Sequence, residues 1–318
     1  MDYTVLGRTD MRVSVAGLGC GGNSRVGLGR GAPETECVGI VRTAIDLGVN
    51  FLDTAEAYGT EEIVGKAARF YDRDTLIIST KAILRGDAMA PLDVETKVDT
   101  ALQRLGMDYV DIFHFHAVRP QDYQRTRDVL APALDKMRQS GKVKFIGITE
   151  TGPRDPNQEM IRNAIHDEPW DICMLAYSLL NQAARKTVFP TTQKRKIGTL
   201  LMFVVRNVLS QLDNRRDTFA SLVRSGQLPS SFASADDPLA FLVTEGGAES
   251  VTDAAYRFAR HEPGADVVLF GTGNAAHVEE NVKSILRPPL APSFVAKLHQ
   301  LFGQLTGVGL ELPDRVKP

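Results

Sequence analysis

Residues 50–70 read NFLDTAEAYGTEEIVGKAARF, and the pattern of the whole chain is contained in them. Asn50, Phe51 and Leu52 read as a buried strand, and Asp53 follows at once. Tyr58 comes five residues later, beside Gly59. The stretch then turns helical, with Thr60 placed to cap the first turn. A strand that ends in a carboxylate, a loop that carries a phenol and a helix form one unit. Similar strand–helix units recur on both sides of it.

Upstream, VSVAGLG (13–19) is strand-like, and ETECVGIVRTAIDLG (34–48) puts Val38, Val41 and Ile45 on one helical face. Downstream, TLIIST (75–80) is a strand, and DVETKVDTALQRLG (93–106) repeats Val94, Val98, Leu102 and Leu105 at helical spacing. YVDIFHF (109–115) is the next strand. RDVLAPALDKMRQSG (127–141) is the next helix, which Pro132 starts or kinks. VKFIGIT (143–149), DICMLAY (171–177), IGTLLMFVV (197–205) and DVVLFG (266–271) complete about eight strand–helix pairs. Continuous apolar strands separated by helices imply parallel strands covered on both faces. Right-handed crossovers repeated eight times close into a (β/α)8 TIM barrel, the α/β class expected here, as one domain over 1–318. A doubly wound open sheet is the competitor. The loop GLGCGGNSRVGLGRG (17–31) fits its G-x-G-x-x-G phosphate turn poorly. The Ser-, Asp- and Gly-rich segment 206–248 follows the seventh strand and reads as a loop insertion over the barrel mouth.

Composition narrows the function classes. The chain has 318 residues, 43% hydrophobic and 24% charged, with a net charge of −2. That charge leaves no footprint for nucleic acid or an anionic membrane. No apolar run reaches ~18 residues. Three widely spaced cysteines argue against a disulfide framework and fit a reducing compartment, so a cytoplasmic protein is expected. The six histidines form no metal-ligand motif, so no metal is expected.

Barrel active sites lie at the C-terminal strand ends. Asp53, Lys81 and His116 end three successive strands, and Tyr58 stands in the loop after the first of them. Each alone has an ordinary reading: a turn former, a rim charge, a hydrogen-bonded histidine, a packed tyrosine. Together they put four ionisable groups at one mouth, where a buried Asp53 would need a partner such as Lys81. His114 lies two residues before His116 and shares its side of the strand, deeper in the barrel.

The chain resembles the aldo-keto reductase superfamily from about Leu6 to Leu286. LGRTDMRVSVAGLG (6–19) looks like the family's opening segment, and GVNFLDTAEAYGTEEIVGKA (48–67) like its signature. IISTKA (77–82) is similar to its lysine strand, and LGMDYVDIFHFHAV (105–118) to its histidine strand. SGKVKFIGIT (140–149) and FGTGNAAHVEENVKS (270–284) match later landmarks. The resemblance implies NAD(P)H-dependent reduction of an aldehyde or ketone, or the reverse oxidation of an alcohol or sugar. It makes Tyr58 the general acid, with Lys81 lowering its pKa, Asp53 holding Lys81 and His116 orienting the carbonyl oxygen. It implies cofactor contacts from Gly21, Asp53, Thr149, Gly271, Thr272, Gly273, Asn274, His277, Glu280 and Asn281. Gly271 and Gly273 permit close backbone approach, and the following helix offers free N–H groups to phosphate.

The sequence departs from the family at several points. The strand-eight loop lacks the usual Lys or Arg for a 2′-phosphate, and His277 is its one cation, so both NADP and NAD stay open. Thr149 and Glu150 stand where Ser-Asn is common. Met174 replaces a glutamine, and Met202, beside Phe203, replaces a tyrosine. Two other readings stand beside the reductase. One is a lyase with Lys81 as a Schiff-base nucleophile. The other is a non-catalytic nucleotide-binding regulatory protein on the same fold. The expected partner is a small carbonyl compound, and the sequence does not fix the oligomeric state.

Overall fold

The computed structural model describes residues 1–233 and 235–311. Ser234, inside the 206–248 segment, and residues 312–318 of the 1–318 domain lie outside the described residues. The chain starts with an antiparallel hairpin, β1 (Tyr3–Val5) and β2 (Arg12–Ser14). Eight parallel strands follow: β3 (Ala16–Gly19), β4 (Phe51–Asp53), β5 (Ile77–Ala82), β6 (Val110–Phe115), β7 (Val143–Thr149), β8 (Ile172–Ala176), β9 (Gly198–Met202) and β10 (Val267–Phe270). They close into a barrel in the order β10-β3-β4-β5-β6-β7-β8-β9. The fold is therefore the (β/α)8 barrel, and the open sheet is excluded.

The strands close because both faces find apolar cover. Helices such as Glu34–Asp46, Pro91–Leu105 and Ala275–Leu286 bury Val41, Val98 and Val282 on the outside. Inside, Phe51, Ile77, Ile112, Ile172, Leu200 and Val267 form one cluster. Leu6 and Val13 belong to that same cluster, and both are fully buried. The hairpin thus plugs the barrel at the end where the strands begin. The expected strand 13–19 is in fact two. Val13 belongs to the plug, and the barrel strand starts at Ala16.

Two further details bear on the sequence reading. Thr60 does sit at the N-cap position of the helix Glu61–Ala68, but its side chain makes no capping bond. It is buried, and bonds Thr54 at 2.8 Å and the Cys20 carbonyl at 3.1 Å, tying the loop to two strands. Pro132 stands at the start of its α-helix, one of the two expected places. A π-helical stretch, Thr126–Leu130, precedes it, and the α-helix Ala131–Gln139 carries it in the first turn. The wider turn absorbs the hydrogen bond that proline cannot make.

Segment 206–248 contains the helices Asn207–Ser210, Leu212–Arg224 and Phe241–Thr244. Phe219, Phe232 and Phe241 pack on Phe302 of the C-terminal helix Pro292–Phe302. No helix among the described residues is long and apolar enough to cross a membrane.

Candidate active site

Alternation along the strands builds the site in layers. On β4, β5 and β6 the inward residues begin with Phe51, Ile77 and Ile112, which are apolar. The next layer is polar: Asp53 on β4, Ser79 on β5 and His114 on β6. Asp53 lies in register with Ser79, and Lys81 with His114. One step further along the chain, Lys81 and His116 approach the mouth.

A polar layer inside a barrel must be hydrogen-bonded throughout. Here the chain of contacts is nearly complete. His114 Nε2 lies 3.2 Å from Ser79 Oγ, and Ser79 donates to Asp53 Oδ1 at 2.9 Å. The Lys81 ammonium donates to Asp53 Oδ2 at 2.6 Å and to the Thr54 carbonyl at 2.9 Å. Lys81 and Asp53 are only 1% and 3% exposed, so this ion pair is fully inside the protein. Burial pulls the Lys81 pKa down, but Asp53 and Tyr58 together outweigh it, and the net direction is up. Lys81 is held charged. That counts against the Schiff-base reading, which needs a neutral amine.

Tyr58 is partly buried above this pair. Lys81 Nζ lies 4.9 Å from its ring centroid, and the His116 ring meets it edge-on at 5.6 Å. Burial raises the phenol pKa. The Lys81 charge works against that but does not overcome it. The expected lowering of the Tyr58 pKa is therefore present as a force and not as a net result: the phenol keeps its proton. His116 is driven well below its ordinary pKa by burial, then by Lys81 and Arg85, and is a neutral imidazole. His114 is neutral for similar reasons: burial, Lys81 and His116.

These groups face a cavity of about 670 Å³ at the C-terminal strand ends. Gly21, Asp53, Tyr58, His116, Thr149, Gly271, Thr272, His277, Glu280 and Asn281 all line it. Lys81 is not on the wall and stands behind Tyr58. Gly273 and Asn274 are off the wall too. Asn274 caps the helix Ala275–Leu286, accepting from the Ala276 N–H at 3.0 Å. A side chain at Gly273 would press on Gly27 at 3.2 Å. Thr149, Glu150, Met174 and Met202, where the sequence reading expects departures from the family pattern, are on the wall, and so is Phe203 beside Met202.

Some features that shape the site go beyond the sequence reading, which named Gly21 only as a cofactor contact and did not name Gly147, Ser79 or Arg30. Gly21 packs against the phenol, and a Cβ there would sit 2.6 Å from the Tyr58 ring. Gly147 makes room for His114, since a Cβ there would sit 2.0 Å from Nδ1. Ser79 was readable by counting back two from Lys81. Arg30 donates to the Gly273 carbonyl at 3.2 Å while pairing with Glu36. It brings to the last strand's loop a guanidinium that its own sequence lacks. Arg30 is 243 residues away from Gly273, so no local spacing reveals it.

Glu150 is 3% exposed and lines the cavity. Its Oε1 accepts from the Ala176 N–H at 2.7 Å and from Gln158 at 3.4 Å. Burial raises its pKa to about 8 against these bonds.

Comparison with known proteins identifies the family. The model of the aldo/keto reductase family matches residues 17–302. The chain is 28% identical over 300 residues to the aldo-keto reductase YhdN of Bacillus subtilis, covering 88% of this chain and 87% of that protein. It is 35% identical over 157 residues to L-galactose dehydrogenase of Arabidopsis thaliana. That match spans 47% of this chain and about half, 48%, of the plant enzyme. Among solved structures, the holo form of aldo-keto reductase AKR11C1 from Bacillus halodurans superposes with a TM-score of 0.72 at 23% identity, over 95% of this chain and 96% of that one. The apo form gives 0.71 at 24% identity, with the same coverage. At these identities the structural likeness speaks for the fold.

Proposed function

The chain belongs to the aldo/keto reductase family of oxidoreductases, and from that membership we propose that it reduces an aldehyde or ketone with a nicotinamide cofactor, Tyr58 serving as general acid. The observation that carries the proposal is the contact set around Tyr58. A protonated phenol lies against a buried ammonium on one side and a neutral imidazole on the other.

A carbonyl oxygen that gains negative charge needs a proton and donors aimed at it. His116 orients that oxygen by a hydrogen bond. Tyr58 gives up its proton, and Lys81 stabilises the phenolate left behind. Asp53 fixes Lys81 and keeps it charged. Ser79 and His114 hold Asp53 from below.

The other wall suits a dinucleotide. A side chain at Gly271 would come within 3.0 Å of the Gly19 carbonyl, so the backbone there is bare and close. Thr272, Gly273 and Asn274 lead into a helix N-terminus suited to phosphate. His277, Glu280 and Asn281 follow on that helix, and Gly21 and Thr149 stand on the nicotinamide side. A bound NADPH or NADH would supply the hydride. Arg30 beside Gly273 supports NADP, while its pairing with Glu36 leaves NAD in play. The three cysteines are free and buried, which supports a reducing, cytoplasmic setting.

The test is a fluorescence titration with NADPH and NADH, then a carbonyl panel with the tighter binder. Tyr58→Phe is expected to lose ~100-fold or more in turnover and still bind cofactor. Turnover near that of the wild type in this variant would remove Tyr58 from the mechanism. Tight cofactor binding with no reduction of any carbonyl by the wild type would indicate the regulatory reading.

A further inference from the structure

Two guanidinium groups at the mouth have no part in the chemistry just described. Arg85 follows β5, and Arg154 ends the 3₁₀ turn Gly152–Arg154 after β7. Both line the cavity that holds Tyr58 and His116. Among the described residues neither has a hydrogen bond or an ion pair. Arg119 lies between them, in the loop after β6, and is differently placed: it grips Asp122 through two bonds of 2.5 and 3.0 Å. Burial and the Arg119 and Arg154 charges weaken the hold of Arg85 on its proton, and Asp122 offsets them only in part. Arg85 also acts on His116, so it stands near the place where the carbonyl oxygen would lie.

The acids on the cavity wall do not answer these cations. Asp53 is committed to Lys81, and Glu150 keeps its proton at neutral pH. Glu280 belongs to the helix after β10. In the barrel order β10 lies four strands from β6, on the opposite side. The phosphate-suited helix end and the arginines therefore face each other across the mouth. A cofactor held at β10 would leave the cations beside β6 without a counter-ion. Guanidinium groups are well matched to carboxylates and phosphates.

We propose that the substrate carries an anionic group, a carboxylate or phosphate, near its carbonyl, and that Arg85 and Arg154 bind it. This rests on the reductase reading and adds the substrate class.

The experiment compares matched pairs with the cofactor-loaded enzyme: 4-oxobutanoate against butanal, and glyceraldehyde 3-phosphate against glyceraldehyde. At least one anion is expected to show a KM about tenfold or more below that of its neutral partner. The pair that does so tells carboxylate from phosphate. The advantage should shrink as salt rises. Arg85→Met and Arg154→Met should each pull the KM ratio toward one. Equal KM values within both pairs for the wild type, or an unchanged ratio in both variants, would overturn the proposal. So would an Arg85→Met variant whose main loss is affinity for NADPH, because the anion would then belong to the cofactor. Calorimetric titration with 4-oxobutanoate and with glyceraldehyde 3-phosphate separates the two readings. Saturable binding that needs both arginines, without reduction, would sink the reductase reading alone. No binding of either anion would sink the arginine pair.

Discussion

Replacing Lys81 by methionine would leave the Asp53 carboxylate buried with only Ser79 donating to it. Breaking one side of a buried pair costs about 3–5 kcal/mol. Denaturant unfolding of Lys81→Met should show a loss of that size, and adding Asp53→Asn should recover part of it. If the double variant is as unstable as the sum of the singles, the pair is not coupled as described. Glu150 makes a prediction of the opposite kind. Its carboxyl pKa is raised from 4.5 to about 8, so the folded state prefers the protonated form. The stability it contributes is complete below pH 4.5 and is lost as pH rises through about 8. Glu150→Gln should therefore flatten the fall, with its advantage over the wild type growing from pH 5 to pH 9 to the order of a few kcal/mol. Equal melting-temperature differences at both pH values would refute it. At this scale the sequence was legible where the candidate residues concentrate in motifs. Asp53 and Tyr58 share one short stretch, and Lys81 and His116 end strands. Gly147 and Arg30 were not legible, nor was the packing of Gly21 on Tyr58, because each matters through an atom it meets far along the chain.

Gly147 is paired across the sheet with His114, and its missing side chain is the space that the imidazole fills. Gly147→Ala should tilt the ring away from Ser79 and cost about 1–3 kcal/mol, the usual range for overpacking. Calorimetry checks the cost, and the His114 ring signals in NMR check the displacement. An unchanged ring environment would show that β7 yields instead. Strand and helix identities were readable because each element keeps one period over its length. The 34–48 helix pattern and the 109–115 strand pattern match Glu34–Asp46 and Val110–Phe115 closely. Boundaries failed where one apolar run serves two purposes, as in 13–19, which is shared between plug and barrel. The helices of segment 206–248 were hidden by their short apolar stripes, which are completed by phenylalanines meeting the distant Phe302. Phe203 shows another limit: its backbone is left-handed, at φ 61°, beside the cavity. Such a conformation is uncommon for a bulky residue and is imposed by its surroundings.

The barrel as a whole was legible from repetition alone, since eight strand–helix pairs leave few ways to bury both faces of every strand. What repetition could not convey is how the cylinder ends. Leu6 and Val13, fully buried among the bottom-layer side chains, close one end. Leu6→Ala should cost about 2–5 kcal/mol by opening a hole there. Denaturant midpoints would measure it, and a loss below ~1 kcal/mol would mean that the hairpin rests on the barrel without filling it. A stoppered cylinder has one doorway. Whatever is to react must come in through the gap that its product later leaves by, so in the proposed reaction the guest seated deeper has to arrive first and depart last. Product-inhibition patterns should accordingly reveal a compulsory queue rather than random traffic.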